Sequence, residues 1–307
     1  MYNTATPPFR SAALLVLLYS VPACGGSSLD GSANDTGPTA TGRDGGSGTG
    51  GSRSSSGTDA SLTGDVTDSD TRLFRITELE LRDPHLFLGA TDITDEPLFG
   101  VSVNGSLLRN GFSMDYDGDG LLDVSILAQL PASDGDLDGA ELHIVGGRCP
   151  LASPNDCAID PESKLDARWV LAERAEGTCL EPLADSTGSY SPPITLPAGR
   201  CIVGEEGHPL YANLGGIWIE MSAVRISARL QGVAPVQRLV DGLIMGFVSD
   251  EAARAAQLPE YLPLVAGSPI TEFLRAEDRD AEQAGEEPTG WWLYLNFVAD
   301  PANESVQ

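Results

Sequence analysis

An abrupt change of composition near residue 70 limits what this chain can fold into. Residues 25–70 are dominated by Gly, Ser, Thr and Asp, with GGSGTGGSRSSSG (45–57) at the centre. The stretch has no apolar periodicity. It cannot bury enough surface to offset the entropy of ordering it. It predicts a disordered linker with an r.m.s. reach of roughly 35–40 Å by square-root scaling. The foldable part is therefore 71–307, a length that suits a single domain.

Charge narrows the function classes. The chain has 18 Lys and Arg against 45 Asp and Glu, for a formal net charge of −27. Nucleic-acid binding needs a basic surface, so no nucleic-acid partner is expected. The same excess disfavours electrostatic binding to an anionic membrane face.

Residues 1–23 read as a secretory signal peptide. Arg10 supplies the positive charge, and AALLVLLY (12–19) is an apolar run far too short to span a bilayer. The segment ends Val21-Pro22-Ala23-Cys24. This resembles the lipobox of bacterial lipoproteins, although Pro22 departs from the commoner small residue. The resemblance implies cleavage before Cys24 and a thioether-linked diacylglycerol on it. The chain would then be exported and held by its lipid to a membrane, at the outer membrane or cell surface. Residues 24–70 would be the lipidated cysteine and its leash.

From residue 71 short alternating apolar runs return. Strands are expected at 74–81, 122–127, 141–145, 217–221, 224–230, 239–248 and 291–298. In 224–230, Val224, Ile226, Ala228 and Leu230 share one face while Arg225, Ser227 and Arg229 share the other. That pattern marks a half-buried antiparallel strand. Helical signals are few. Ser249 caps an acidic, alanine-rich run, and Ser268-Pro269 precedes 270–274. The expected fold is mostly β: an antiparallel β-sandwich with one or two short peripheral helices.

Besides Cys24 there are Cys149, Cys157, Cys179 and Cys201. Four cysteines in an exported chain imply two disulfides with three possible pairings. Pairing Cys149 with Cys157 and Cys179 with Cys201 is the simplest.

The sharpest motif is DYDGDGLLD at 115–123. Asp115, Asp117, Asp119 and Asp123 occupy positions 1, 3, 5 and 9, with Gly120 at position 6. Ca²⁺ takes six to eight oxygen ligands. The Leu121 carbonyl, at position 7, would add one. The loop resembles those of FG-GAP repeats, dockerins and EF-hands. Position 12 is Ile126, so the acidic EF-hand ligand is missing, and a loop inside a β-hairpin fits better. A plain solvated acidic turn is the alternative. A weaker second loop carries Asp134, Asp136 and Asp138, with Glu141 as a possible fourth ligand.

The terminal strand WWLYLNFV places Trp292, Tyr294 and Asn296 on one face. An open face would suit stacking against sugar rings; a strand buried on both sides is the alternative. Glu277-Asp278-Arg279-Asp280 would either complete a metal site or form a salt-bridged loop. His85, His143 and His208 join no recognisable nucleophile motif, so no catalytic residue is assigned.

LFRITELELRDPHLF, DGDGLLDVSI, ANLGG (212–216) and GWWLYLNF resemble a group of uncharacterised lipoproteins from GC-rich gliding bacteria. That resemblance implies export and a shared domain. The expectation is a lipid-anchored, Ca²⁺-stabilised, non-catalytic binding or adhesion module of the cell envelope, with envelope polysaccharide or protein as partner. The rivals are an anchored glycan hydrolase and a purely structural envelope protein.

Overall fold

The computed structural model describes residues 71–305, apart from 99, 101, 133–135, 206–208, 233, 234, 261, 263, 264 and 284. The signal peptide, Cys24, the linker, Asp134 and His208 lie outside the described residues.

The expected alternation builds most of the sheet. β1 (Thr71–Asp83) buries Phe74, Ile76, Leu79 and Leu81. β2 (Phe87–Leu88) and β3 (Thr91–Asp92) form a separate two-stranded ribbon. A π-helical turn at Val103–Leu108 then runs into α1 (Arg109–Gly111). It has a Ser102 cap but no acidic residue in its first turn, and it lies outside the helices expected above.

The sheet continues through β4 (Ile126–Pro131), β5 (Glu141–Arg148), β6 (Asp156–Ile159), β7 (Asp166–Val170) and β8 (Ala172–Arg174). After a long loop come β9 (Cys201–Gly204), β10 (Leu210–Leu214), β11 (Ile217–Gln231) and β12 (Arg238–Ser249). α2 (Asp250–Ala255) follows directly, and β13 (Gly290–Glu304) closes the domain.

Eleven strands form one sheet in the order β1-β4-β5-β6-β13-β12-β11-β9-β8, with β7 on β5, β10 on β11, and β1 also on β13. Every pairing is antiparallel except the short one between β13 and β6. The sheet folds over on itself. Ala128, Leu142 and Ile144 of one half face Ile202, Ile226, Leu239 and Phe297 of the other across a small apolar gap. Trp169 on β7 reaches across and donates its Nε1–H to the Val224 carbonyl on β11. The result has the two layers of a sandwich, both supplied by one continuous sheet.

Three local expectations change, the first being that the pieces expected at 217–221 and 224–230 form one strand, β11. The strand expected at 122–127 begins only at Ile126. The N–H groups of Leu122, Asp123 and Val124 are taken by Cys149, Met114 and Gly111, so no ladder forms there. The helix expected at 270–274 is a single 3₁₀ turn, Ile270–Glu272, capped by Pro269 without a side-chain bond. The other helix forms as read, with Ser249 Oγ accepting the Ala252 N–H.

The cysteines pair locally, Cys149 with Cys157 and Cys179 with Cys201. The first pair sits in a small core with Leu73, Leu122, Leu127 and Val145. The second anchors the long loop between β8 and β9. Among the described residues no helix is long and apolar enough to cross a membrane.

Candidate functional site

The 115–123 loop leaves the end of α1 and enters β4, so it does not lie inside the β-hairpin expected for it. It is pinned from both sides. Asp123 N–H reaches the Met114 carbonyl at 3.1 Å, and Leu122 N–H reaches the Cys149 carbonyl at 2.9 Å. Leu151 N–H closes onto the Gly120 carbonyl, also at 2.9 Å. The first disulfide therefore braces the segment that receives the loop.

Inside the loop, carboxylates gather backbone donors. Asp115 accepts from the N–H of Gly118 at 2.6 Å and of Gly120 at 2.8 Å. Asp123 accepts from Tyr116 N–H. Gly120 has a φ of +86°, a backbone state that L side chains rarely adopt, which is why a glycine stands at position 6. One carboxylate oxygen each from Asp115, Asp117 and Asp123 lie within 4.8 Å of one another. Asp119 stands apart from that group: its Oδ1 accepts the Leu121 N–H at 2.8 Å.

The electrostatics follow from this geometry. The Gly120 and Gly118 N–H groups hold Asp115 below the usual carboxylate range. Asp123 is pushed up by burial and by the charges of Asp117, Asp115 and Asp119. Among the described residues no Lys or Arg pairs with any of the four. The donor set is thus three hard oxygens on a tightly turned backbone, bonded by backbone N–H groups and without a cationic side-chain partner among the described residues; Asp115, Asp117 and Asp123 are the residues that would hold a Ca²⁺ ion.

The weaker second loop does not assemble in this way. Its described acids are spread over different partners. Asp136 accepts from Asp138 N–H, Asp138 from Glu173 N–H, and Glu141 pairs with Arg168 at 2.8 Å.

The Trp292, Tyr294 and Asn296 face is closed, against the expectation of an open ligand strip. Trp292 is 3% exposed and Tyr294 is fully buried. Leu180, Leu183 and Ile194 of the β8–β9 loop cover them, together with Leu243, Met245 and Phe247 of β12. Asn296 binds the chain itself. Its Oδ1 accepts the Thr195 N–H at 2.8 Å, while its Nδ2 donates to the carbonyls of Thr195 and Gly242. The amide offered for a ligand acts as a side-chain rung between sheet and loop.

Residues 277–280 are a bonded loop and not part of the acidic group. Arg279 pairs with Asp250, and Asp278 accepts the Tyr190 hydroxyl at 2.6 Å. His85 is buried, bonds Asp92 through Nδ1 at 2.5 Å and stacks on Tyr190. His143 sits between Gln129 and Asp166.

Two depressions were not legible in the sequence. One, of about 310 Å³, lies beside the acidic loop and is lined by Asp123, Ser125, Lys164, Asn213 and Trp218 among others. The other, of about 590 Å³, is lined by Asp185, Ser186, Arg225, Asp280, Glu282 and Trp292. Burial pushes the Asp280 carboxyl up to about 6, with Asp278 adding to it. Behind it, burial raises Asp83 to about 7, reinforced by Asp278 and Asp280.

Among the described residues, fold and site together define a two-layer antiparallel β-domain with a convergent acidic loop and several surface depressions, one of them beside that loop. No family model matches the chain, and no curated protein or solved structure matches it.

Proposed function

We propose that this protein is a lipid-anchored, extracytoplasmic β-domain that Ca²⁺ stabilises and that acts as a non-catalytic binding or adhesion module of the cell envelope. The observation that carries the reading is the convergence of Asp115, Asp117 and Asp123 oxygens within 4.8 Å with no cationic partner among the described residues. Those three carboxylates, with the Leu121 carbonyl, would hold the ion. Bound Ca²⁺ would supply positive charge where three acids otherwise repel, so binding would favour the folded state. Val21-Pro22-Ala23-Cys24 supports export and lipidation of Cys24, with the acidic domain carried away from the membrane by residues 25–70.

Thermal unfolding of the full-length protein, with Ca²⁺ and with EDTA, tests the ion. Saturation about a hundredfold above Kd stabilises by about 2.7 kcal/mol. Asp117→Ala should remove that rise, because Asp117 carries little of the loop's own bonding. Equal midpoints in Ca²⁺ and EDTA would refute the calcium reading. Cys24→Ala, which removes the acylated atom, should release the protein from the membrane fraction.

A second reading, an anchored hydrolase acting on glycans, is supported by the 590 Å³ cleft and its Asp280. Asp280, raised by burial, shares the cleft with Asp185 and Glu282, and carboxyls in unequal environments suit acid–base work. Release of reducing sugar by the wild type and its loss in Asp280→Asn would establish it.

A further inference from the structure

The geometry points to the 310 Å³ depression beside the acidic loop as a binding site for an uncharged sugar, stacked on Trp218. This deepens the binding-module reading and rests on it. The volume lies at the lower end of known ligand sites, roughly 300–1,000 Å³, and suits one or two sugar rings.

Four elements build the walls. The exit of the acidic loop brings Asp123 and Ser125, β5 brings Gly146 and Gly147, the turn before β7 brings Asp160, Glu162 and Lys164, and the β10–β11 hairpin brings Asn213 and Trp218. Asn213 and Trp218 are cross-strand partners on the hairpin's outward face. The hairpin turns through Gly215 and Gly216, with φ of +66° and +95°. A Cβ on Gly215 would sit 2.5 Å from the Leu107 carbonyl oxygen, so that glycine lets the hairpin press against the π-helical turn. Trp218 is held by a rigid frame.

Three observations indicate a ligand. Trp218 is 41% exposed, whereas Trp169, Trp291 and Trp292 are all buried. Ser125 Oγ is buried with no hydrogen-bond partner. Asn213, 8% exposed, lines the same depression, and its Oδ1 takes the Gly216 N–H. A hydroxyl left unpaired in a recess, as Ser125 Oγ is, costs free energy until something bonds it. A pyranose matches this set, because it offers an apolar C–H face to an indole and hydroxyls around its edge. Charge selects among sugars. Asp123, Asp160 and Glu162 outnumber Lys164, so sulfated and uronic-acid sugars are repelled.

The test uses the full-length protein in a detergent without a sugar headgroup. Chitotetraose, maltotetraose and mannotetraose are the probes, and polygalacturonate is the anionic control. Binding is read by calorimetry and by protection of the exposed indole from acrylamide quenching. At least one neutral oligosaccharide should bind saturably and protect the indole. Trp218→Ala should weaken that binding by at least about tenfold with the melting midpoint unchanged. Asn213→Ala should weaken it less. No binding by any neutral probe, a preference for polygalacturonate, or binding that survives Trp218→Ala overturns the inference. Sugar binding that persists where Ca²⁺ has no effect on melting supports this site while refuting the calcium reading, so the two failures are separable.

Discussion

The β13 face and the β10–β11 hairpin face carry the same kind of pattern and meet opposite fates. Each alternates apolar residues with outward aromatics and an asparagine: Trp292, Tyr294 and Asn296 on one, Trp218, Tyr211 and Asn213 on the other. On β13 all three are buried; on the hairpin Trp218 and Tyr211 stay exposed. The difference is a single covering segment. The β8–β9 loop, fastened by Cys179–Cys201, lays Leu180, Leu183 and Ile194 over β13 and bonds Asn296. Nothing described covers Trp218 in the same way. An aromatic strip on an edge hairpin is thus better placed to meet a ligand than one in a central strand.

The largest expected effect comes from unfastening the cover. Cys179→Ser with Cys201→Ser should cost about 3 kcal/mol by loop entropy, measured by denaturant unfolding. Trp292 should then join Trp218 as a quenchable indole. Unchanged quenching would mean that the apolar contacts alone hold the loop.

Next comes a pH effect confined to the covered side. Asp83 accepts the Gly188 N–H at 2.8 Å and so ties the same loop to β1. Its folded pKa of about 7 lies above the ordinary value of 3.8. Below pH 4 the group is neutral in both states and contributes nothing. Between pH 4 and 7 the unfolded chain ionises first, so stability falls as pH rises; above pH 7 the loss is constant. Asp280 acts in the same direction up to about pH 6. Asp83→Asn keeps an acceptor for Gly188. It should raise stability on the order of 2–3 kcal/mol at pH 8 and leave it unchanged at pH 4. A pH-independent difference would show that the carboxyl is not the titrating group.

Asn296→Ala should cost about 2 kcal/mol, since it leaves the Thr195 N–H and two carbonyls without their partner. Hydrogen exchange at Thr195 should quicken with it. The smallest effect is at Trp218→Ala, within about 0.5 kcal/mol of wild type by denaturant unfolding. If that substitution destabilised the domain as much as Asn296→Ala does, Trp218 would be a packing residue and the contrast between the faces would collapse.

Much of the architecture was legible because strand periodicity is local. In 224–230 the apolar face forms as read, with Val224, Ile226, Ala228 and Leu230 all buried, while Ser227 on the polar face is also buried and donates to the Ile202 carbonyl. The Ser249 cap was legible for the same reason. The strand expected at 122–127 starts late because Leu122 and Val124 bury themselves against loop partners and not in a ladder, a choice that depends on Cys149 and Gly111. In the acidic loop, spacing named four aspartates, and three converge. Asp119 is diverted by the Leu121 N–H, a competition that spacing does not encode. Asp83 gave no sequence signal, since its raised pKa comes from burial, with Asp278 and Asp280 adding to it against the Gly188 N–H, and all of these are set by segments distant along the chain.

The sequence by itself determined the β class, the positions of the long strands β1, β5, β11, β12 and β13 and the acidic loop's spacing, and made the local disulfide pairing the simplest of three. Each of these follows from interactions within a few residues, or from a loop too short to leave many choices. Tertiary structure alone decided that one sheet supplies both layers, which aromatic face is covered, and where the unpaired Ser125 hydroxyl and Asn213 meet Trp218. Those outcomes depend on contacts between segments a hundred or more residues apart, as in the 101-residue separation of Asn296 and Thr195 and the 223-residue separation of Thr77 and Asp300. Alternation states only which side of a strand is apolar; what packs against that side is settled by the whole chain.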